Sequence, residues 1–458
     1  MIALLGMNRL EAATAPGAFH NSRERFDPPK CHPRTREGIL EKIKDWATKK
    51  IDSNAFVMWL YGTAGAGKSA IAQSIAELCH EMDLLLASFF FSSRSPHRST
   101  SSHLFASLTY QLVRAIPAMR DFVESAIDLD PLIFQQSLEA QFVTLLAQPF
   151  RRLLEIHPPE KTQYPCLIVL DGLDECTDGS RRGVLGSIFD LTKRFSLPFI
   201  FLIASRPEQD ILSFFNSTKV QDYCVRIPLD HDYRSYDDIE RFFHDKFAEM
   251  REDHPLRSQL TPSWPSEQDI ETLVRESSGQ FIYSTTVIKY ISSPRHRPTQ
   301  RLKIILGTTP ADRDLPFAEL DGLYRTIILS VDDPDMTVRI LATLFCLASW
   351  NHLSVLEHCL SLDPGDSLLY LGDLGSLVYV ENDLFWFSHL SLGEFLFDKS
   401  RSGALHVDRA MVHAGIARSC LHLLQQIPVT GVLLYIFLFL PIYHIRLKRL
   451  KQPWTTKS

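Results

Sequence analysis

The sequence predicts an α/β protein built on a parallel sheet flanked by helices. Three observations carry that expectation: a glycine-rich loop set between an apolar run and a helical stripe, apolar runs that alternate with helical patterns, and one such run that ends in a cluster of carboxylates. At 458 residues the chain exceeds a single core, and two to four domains are expected. Its 45% apolar and 22% charged residues are those of an ordinary folded chain. A net charge of −6 carries no basic signal, so no nucleic-acid partner is expected.

Residues 1–30 read as an irregular lead-in that closes on Phe26-Asp-Pro-Pro-Lys30. Ile39, Leu40, Ile43 and Trp46 then make a helical stripe between Arg36 and Thr48. Strands are expected at 57–62, 84–92, 166–171, 198–205 and 223–229. Runs such as Cys166-Leu-Ile-Val-Leu170 and Phe199-Ile-Phe-Leu-Ile-Ala204 have no polar alternation, as strands buried on both faces require. Leu104, Leu108, Leu112 and Ile116 recur at every fourth position and predict a helix. Another is expected from Ser137 to Ile156, broken or kinked at Pro149. Beyond Pro228 the pattern turns helical, most clearly at 237–251 and 267–291, with a linker at 292–298 and a further apolar-rich unit to about residue 425.

The glycine-rich loop is Gly62-Thr-Ala-Gly65-Ala66-Gly67-Lys68-Ser69. It follows the apolar run 56–61 and leads into Ala70 and a helix marked by Ile71, Ile75 and Leu78. That strand–loop–helix setting is the one a phosphate-binding P-loop needs. Glycines permit a tight turn in which successive N–H groups face inward at phosphate oxygens, and the helix N-terminus adds positive partial charge. Gly62, Gly65, Ala66, Gly67, Lys68, Ser69 and Ala70 are therefore expected to bind a nucleotide. Lys68 would reach the β- and γ-phosphates and the Ser69 hydroxyl would ligate Mg²⁺. Since the loop reads phosphates alone, ATP and ADP are expected and GTP stays open.

The run Cys166–Leu170 ends in Asp171-Gly-Leu-Asp174-Glu175. Strand tips in open α/β sheets are where ligands bind, so these acids should meet the phosphates. Asp171 is placed as a second metal residue, and Asp174 or Glu175 as the group that orients or deprotonates the attacking water. Ala204-Ser205-Arg206-Pro207 closes the next apolar run, and the Arg206 fork is suited to sensing or stabilising a γ-phosphate.

The eight cysteines (31, 79, 166, 176, 224, 346, 359 and 420) are scattered without a C-x-x-C pair, which fits free thiols in a reducing cytoplasm. The tail from 426 to 458 is different. It carries no charge between Ile427 and Ile445, and Arg446, Lys448, Arg449 and Lys451 follow. A helix over 427–445 would be roughly 28 Å long, barely a bilayer core. A C-terminal membrane anchor and a buried or mis-annotated C-terminus both stand as readings of it.

Taken together, the P-loop Gly62–Ser69, the Asp171–Glu175 acids and the Ser205-Arg206-Pro207 turn resemble a NACHT NTPase of the STAND class. They are most similar to the fungal NLR-like group, whose P-loop domain is also described as nephrocystin-like. Pro29-Lys-Cys-His-Pro-Arg-Thr35-Arg36 with Trp46, Trp264-Pro-Ser-Glu267, Ser277-Ser-Gly279-Gln-Phe-Ile-Tyr283, Phe317-Ala-Glu-Leu320 with Leu323-Tyr324, Leu362-Asp-Pro-Gly365, and Ser388-His389-Leu-Ser391 with Glu394-Phe-Leu396 extend the resemblance. It spans roughly residues 20–420. It implies a P-loop NTPase core at 31–230, a helical domain at 231–305 and a winged-helix-like domain at 306–425. His389 would be the winged-helix histidine that reads ADP phosphates. The implied activity is a signalling switch with slow ATP hydrolysis: an ADP-bound closed monomer exchanges for ATP and opens to form a homo-oligomer, with an unknown effector as partner and non-self recognition or cell death as the biological setting. A productive NTPase or kinase, and a nucleotide-binding scaffold tethered to a membrane, are the alternatives. The family's N-terminal effector and C-terminal sensor repeats have no counterpart in the sequence, and Thr63 and Arg34 replace a common proline and glycine.

Overall fold

The computed structural model describes residues 6–426 apart from 26–27, 53, 94, 157–165, 230–234, 278, 293, 295, 307–316, 330, 348–351, 373, 375–376, 382 and 388–390. Five strands make the central sheet: β1 (Val57–Tyr61), β2 (Leu85–Phe90), β3 (Leu167–Asp171), β4 (Ile200–Ser205) and β5 (Cys224–Pro228). Their spatial order is β2-β3-β4-β1-β5, and every neighbouring pair is parallel. All five C-terminal ends therefore open on one edge. Each expected strand is present to within two residues.

Side-chain alternation divides the sheet's two faces between two cores. Val57 and Trp59 of β1, Ile168 and Leu170 of β3, and Phe201 and Ile203 of β4 enter the larger core. Met58 and Leu60, Leu167 and Val169, and Leu202 and Ala204 enter the other. Both faces are dry, which is why these strands read as unbroken apolar runs. Burying each large apolar side chain contributes about 1.5–3 kcal/mol.

Helices α1 (Gly6–Ala12), α2 (Glu37–Ala47), α3 (Lys68–Glu81), α4 (Leu104–Ala115), α5 (Arg120–Leu129), α6 (Leu138–Phe142), α7 (Gln148–Ile156), α8 (Arg181–Arg194), α9 (Gln209–Phe215) and α10 (Thr218–Gln221) surround the sheet. The smaller core takes its helical side chains from α2 and α3; the larger takes them from α1 and from α4 to α10. Between α6 and α7 the helical path runs through a π-helical turn, Val143–Ala147. The irregularity thus falls just before Pro149, whose missing N–H cannot bond the carbonyl four residues back.

The lead-in is built into this fold. Leu10 of α1 is fully buried in the larger core, the Ala15 N–H donates to Ser107 Oγ (2.9 Å) and the His20 N–H to Ser88 Oγ (2.9 Å). Period and polarity hid it, because α1 is short and Leu10 is its one fully buried large side chain, with Met7 packed partly against the same core.

The chain continues into α11 (Ser235–Asp253), α12 (Glu267–Glu276), α13 (Phe281–Ile291) and α14 (Pro298–Ile305). A single helix was expected over 267–291, but it is two. Gly279 takes φ +76° and turns the backbone, and Ser266 opens α12 with a reciprocal cap on Asp269. Among the described residues, those to Tyr324, with those of 372–379 and 387–391, belong to one compact unit, and the others to a second. α15 (Ala318–Leu329), α16 (Pro334–Leu347), α17 (Leu353–Leu360), α18 (Asp366–Gly372), the two-stranded sheet of β6 (Val378–Glu381) and β7 (Leu384–Phe387), α19 (Ser391–Phe397), α20 (Lys399–Ser402) and α21 (Arg409–Gln426) complete the described chain. Among the described residues no helix is long and apolar enough to cross a membrane, and the apolar tail lies outside them. The eight cysteines are free thiols.

Truncating Leu10 to alanine should cost about 2–5 kcal/mol, the range for a leucine deleted from a packed core. Urea unfolding of the full chain measures it, and a loss below about 0.5 kcal/mol would show the lead-in to be an appendage.

Candidate nucleotide site

Between the end of β1 and the start of α3, Gly65 and Gly67 adopt φ of +81° and +95°, left-handed values that a β-carbon disfavours. A Cβ on Gly67 would meet no atom within 4 Å, so open space lies above the N-terminus of α3. The first N–H groups of that helix have no acceptor inside it and present its positive end to that space. Lys68 Nζ folds back over the loop and donates to the carbonyls of Gly62 (2.8 Å) and Thr63 (2.7 Å).

Asp171, at the tip of β3, is 5% exposed and shares the cavity with the Ser69 hydroxyl. Burial pushes its carboxyl up to about 7; the Ser69 hydroxyl opposes the rise and Asp174 adds to it. Asp174 faces Arg206 with both oxygens: Oδ1 accepts from the Arg206 backbone N–H (2.9 Å) and Oδ2 lies 3.2 Å from its Nε. This carboxylate is only 6% exposed, so the pair is charge-assisted and largely shielded from water. Behind it, Trp59 Nε1 donates to Ser205 Oγ (2.9 Å) and anchors the tip of β4. Glu175 accepts from the N–H (2.9 Å) and hydroxyl (3.3 Å) of Ser93, just past β2.

Gly65, Gly67, Lys68, Ser69, Ala70, Asp171, Asp174, Glu175 and Arg206 line one cavity of about 360 Å³. Gly62 and Ala66 stand behind it, their carbonyls taken by Lys68 and by Arg36 Nη2 (3.1 Å). His389 lies outside the described residues.

Sequence reasoning missed the opposite wall. It consists of Pro29 to His32, Thr35 and Arg36, with Phe242 from α11 and Phe281, Ile282 and Thr285 from α13. Arg36 is 4% exposed, with its N–H on Asp238 Oδ2 (3.0 Å) and its guanidinium 5.2 Å from the Phe281 ring centroid. Burial lowers its pKa against the opposing pull of Asp238, and its Nε and Nη1 are buried without a partner, two donors for an acceptor-bearing ligand. His32 and Arg34 both reach Asp245 of α11, at 3.0 and 3.2 Å. Gln280 Nε2 donates to Thr63 Oγ1 (2.9 Å), which brings the start of α13 down onto the P-loop.

Arg25 approaches from the lead-in. Its Nη1 donates to Gln73 Oε1 (2.7 Å), and its guanidinium lies 3.6 Å from the ring centroid of Phe90, the register partner of Asp171. Burial lowers Arg25 to about 10, opposed by the charge of Asp171, so it remains a cation at neutral pH. The segments that carry Arg36 and Gln280 were visible as motifs, but nothing in their local spacing assigned them to a phosphate loop 217 residues away from Gln280.

The cavity has the size of a small-ligand site. One end offers N–H donors, an ammonium and a hydroxyl beside a carboxylate; the other offers aromatic and apolar walls. That donor set fits a nucleoside phosphate with its divalent cation.

Comparison with known families matches one part of the chain. Residues 34–206 match the family model described as Nephrocystin 3, N-terminal, a stretch that contains the P-loop and the acids and ends at Arg206. No curated protein matches the sequence. Solved structures similar to this chain include a Walker-type ATPase of Pyrococcus abyssi (17% identity, TM-score 0.47, 80% of this chain and 97% of that one). Others are Cdc6p of Pyrobaculum aerophilum (12%, 0.37, 86% and 98%) and the RuvB Holliday junction branch migration motor of Thermotoga maritima (12%, 0.33, 77% and 91%). The P-loop NTPase fold itself is read from this chain's own sheet order and loop.

Gly65→Ala tests the loop. The added methyl would collide with Ile282 Cγ2 at a φ that alanine disfavours, so nucleotide affinity should fall at least about tenfold in a titration with fluorescent ADP. Unchanged affinity would mean that the loop relaxes freely there.

Proposed function

With residues 34–206 matching a nephrocystin-type P-loop domain, we propose that this chain is a nucleotide-operated signalling switch that binds ATP and ADP with Mg²⁺ and hydrolyses ATP slowly. The observation that carries the reading is the composition of the cavity: its floor is the P-loop, and its far wall belongs to α11, α13 and the lead-in segment. A nucleotide held there touches the sheet domain and the helices after it together. Loss of one phosphate then alters what holds them, which is how a ligand shifts a conformational equilibrium.

In this reading Lys68 and the N–H groups of the loop hold the β- and γ-phosphates, and Ser69 and Asp171 hold Mg²⁺. Bound Mg²⁺ neutralises charge on phosphate oxygens. Asp174, engaged at both oxygens, keeps Arg206 in place, and Arg206 offers its remaining donors to the γ-phosphate. Glu175 orients or deprotonates the attacking water. Phe281, Ile282 and Arg36 form the wall for the base and sugar. The helices from 235 to 305 are assigned to the helical domain and the later chain to the winged-helix-like domain, with homo-oligomerisation in the ATP state. Turnover should stay below ~1 s⁻¹, the low end of productive enzymes.

The direct test is to denature the purified full chain and identify released nucleotide by chromatography and mass. Stoichiometric ADP supports a closed switch; a folded but empty protein counts against it. Lys68→Ala should weaken ATP binding about tenfold to a hundredfold, the value of a charged hydrogen bond, and unchanged affinity by calorimetry would defeat the assignment. Glu175→Gln should lower the hydrolysis rate about a hundredfold while affinity holds, since only the general base is lost. If Asp174→Asn alone has that effect, the base is Asp174.

A further inference from the structure

Glu175 can serve a water only if the turn that carries it holds still, and that turn is fastened from three sides. Arg206 takes the Asp174 carboxylate and Ser93 takes the Glu175 carboxylate. The third fastener grips the backbone. Arg181, the first residue of α8, donates through Nη2 to the Asp174 carbonyl (2.5 Å) and through Nε to the Cys176 carbonyl (2.9 Å). Its fork therefore brackets Glu175 on both sides. Nη1 lies 3.7 Å from Asp210, in the first turn of α9, the helix that follows the Arg206 turn.

We propose that Arg181 is a positioning residue for hydrolysis, fixing the backbone on either side of Glu175 and tying it to the Arg206 turn. The inference rests on the reading of Glu175 given above. Arg181 does not line the cavity, so it acts through Glu175 and not on the nucleotide. Two carbonyls two residues apart need a planar fork with fixed donor directions; a lysine ammonium supplies the charge but not the fork. Misplacement of a reacting group by about 1 Å costs up to about a hundredfold in rate, so a loosened turn should show in the rate and leave binding intact.

The experiment uses the full chain with Arg181→Met, Arg181→Lys, Glu175→Gln and the double variant R181M/E175Q. Single-turnover hydrolysis of radiolabelled ATP is read beside the affinity of a fluorescent ATP analogue. Both Arg181 variants should lose about tenfold or more in rate with affinity unchanged within about twofold. On the E175Q background R181M should cost nothing further, because the group it positions is gone. An unchanged rate in both single variants overturns the inference, as does an equal loss from R181M with and without Glu175, which would mark a purely structural role. If R181M does not fold, R181K, which keeps the stem and charge, carries the same comparison. Absence of hydrolysis in the unaltered chain, or an E175Q variant as fast as it, overturns the hydrolytic reading and this inference together. Hydrolysis slowed by E175Q but not by the Arg181 variants overturns this inference alone.

Discussion

The direction of the strands is the constraint on which the site depends. All neighbouring pairs in the sheet are parallel, so the tips of β1, β3 and β4 open on one edge. Strand β4 lies between the P-loop strand and the acid strand, which sets the Arg206 turn between Lys68 and Asp171. A parallel sheet is stable only when covered on both faces, and the two cores supply that cover. Packing and chemistry are thus one arrangement: the apolar runs that bury the strands also deliver their polar ends to a common place.

At that edge, charged groups are held by their neighbours before any ligand is considered. Asp174 and Arg206 pair, the Ser69 hydroxyl favours the charged form of Asp171, Ser93 fixes Glu175 and Lys68 closes over the loop carbonyls. Burying a carboxylate is costly unless hydrogen bonds satisfy it, so these contacts are what allow three acids and two bases to share a confined cavity. Preorganised groups of this kind lose little on meeting a charged substrate.

Far from the P-loop in sequence, α11 and α13 supply the other wall. Their hold on the phosphate domain is a mixture of half-buried apolar contact, Ile282 against Gly65, and polar ties, Gln280 to Thr63 and Asp245 to His32 and Arg34. Partly exposed ion pairs of this sort contribute little each. A wall joined by a few such ties is one that ligand contacts of ordinary strength can rebalance, and this gives the switch reading its physical basis.

Local signals determined a good part of this protein. The P-loop, the strand before it and the acids at the tip of β3 are contiguous stretches whose spacing has one physical use, so residues 57–69 and 167–175 were legible as they stand. Apolar runs marked β1 to β4 because burial on both faces leaves no polar alternation; nothing comparable marked β6 and β7. Other features had no local signal. The break at Gly279 interrupts a pattern that reads as continuous, and it is decided by the docking of Gln280 and Ile282 on the loop. The burial of α1 depends on Leu10 meeting a core assembled more than ninety residues later. Which acid Arg206 engages and which Ser93 engages follows from the order of β2, β3 and β4, not from the string Asp171-Gly-Leu-Asp-Glu175. Short-range spacing encodes what a segment can become; only the tertiary fold decides which distant groups come within hydrogen-bond reach, because that depends on how the cores close.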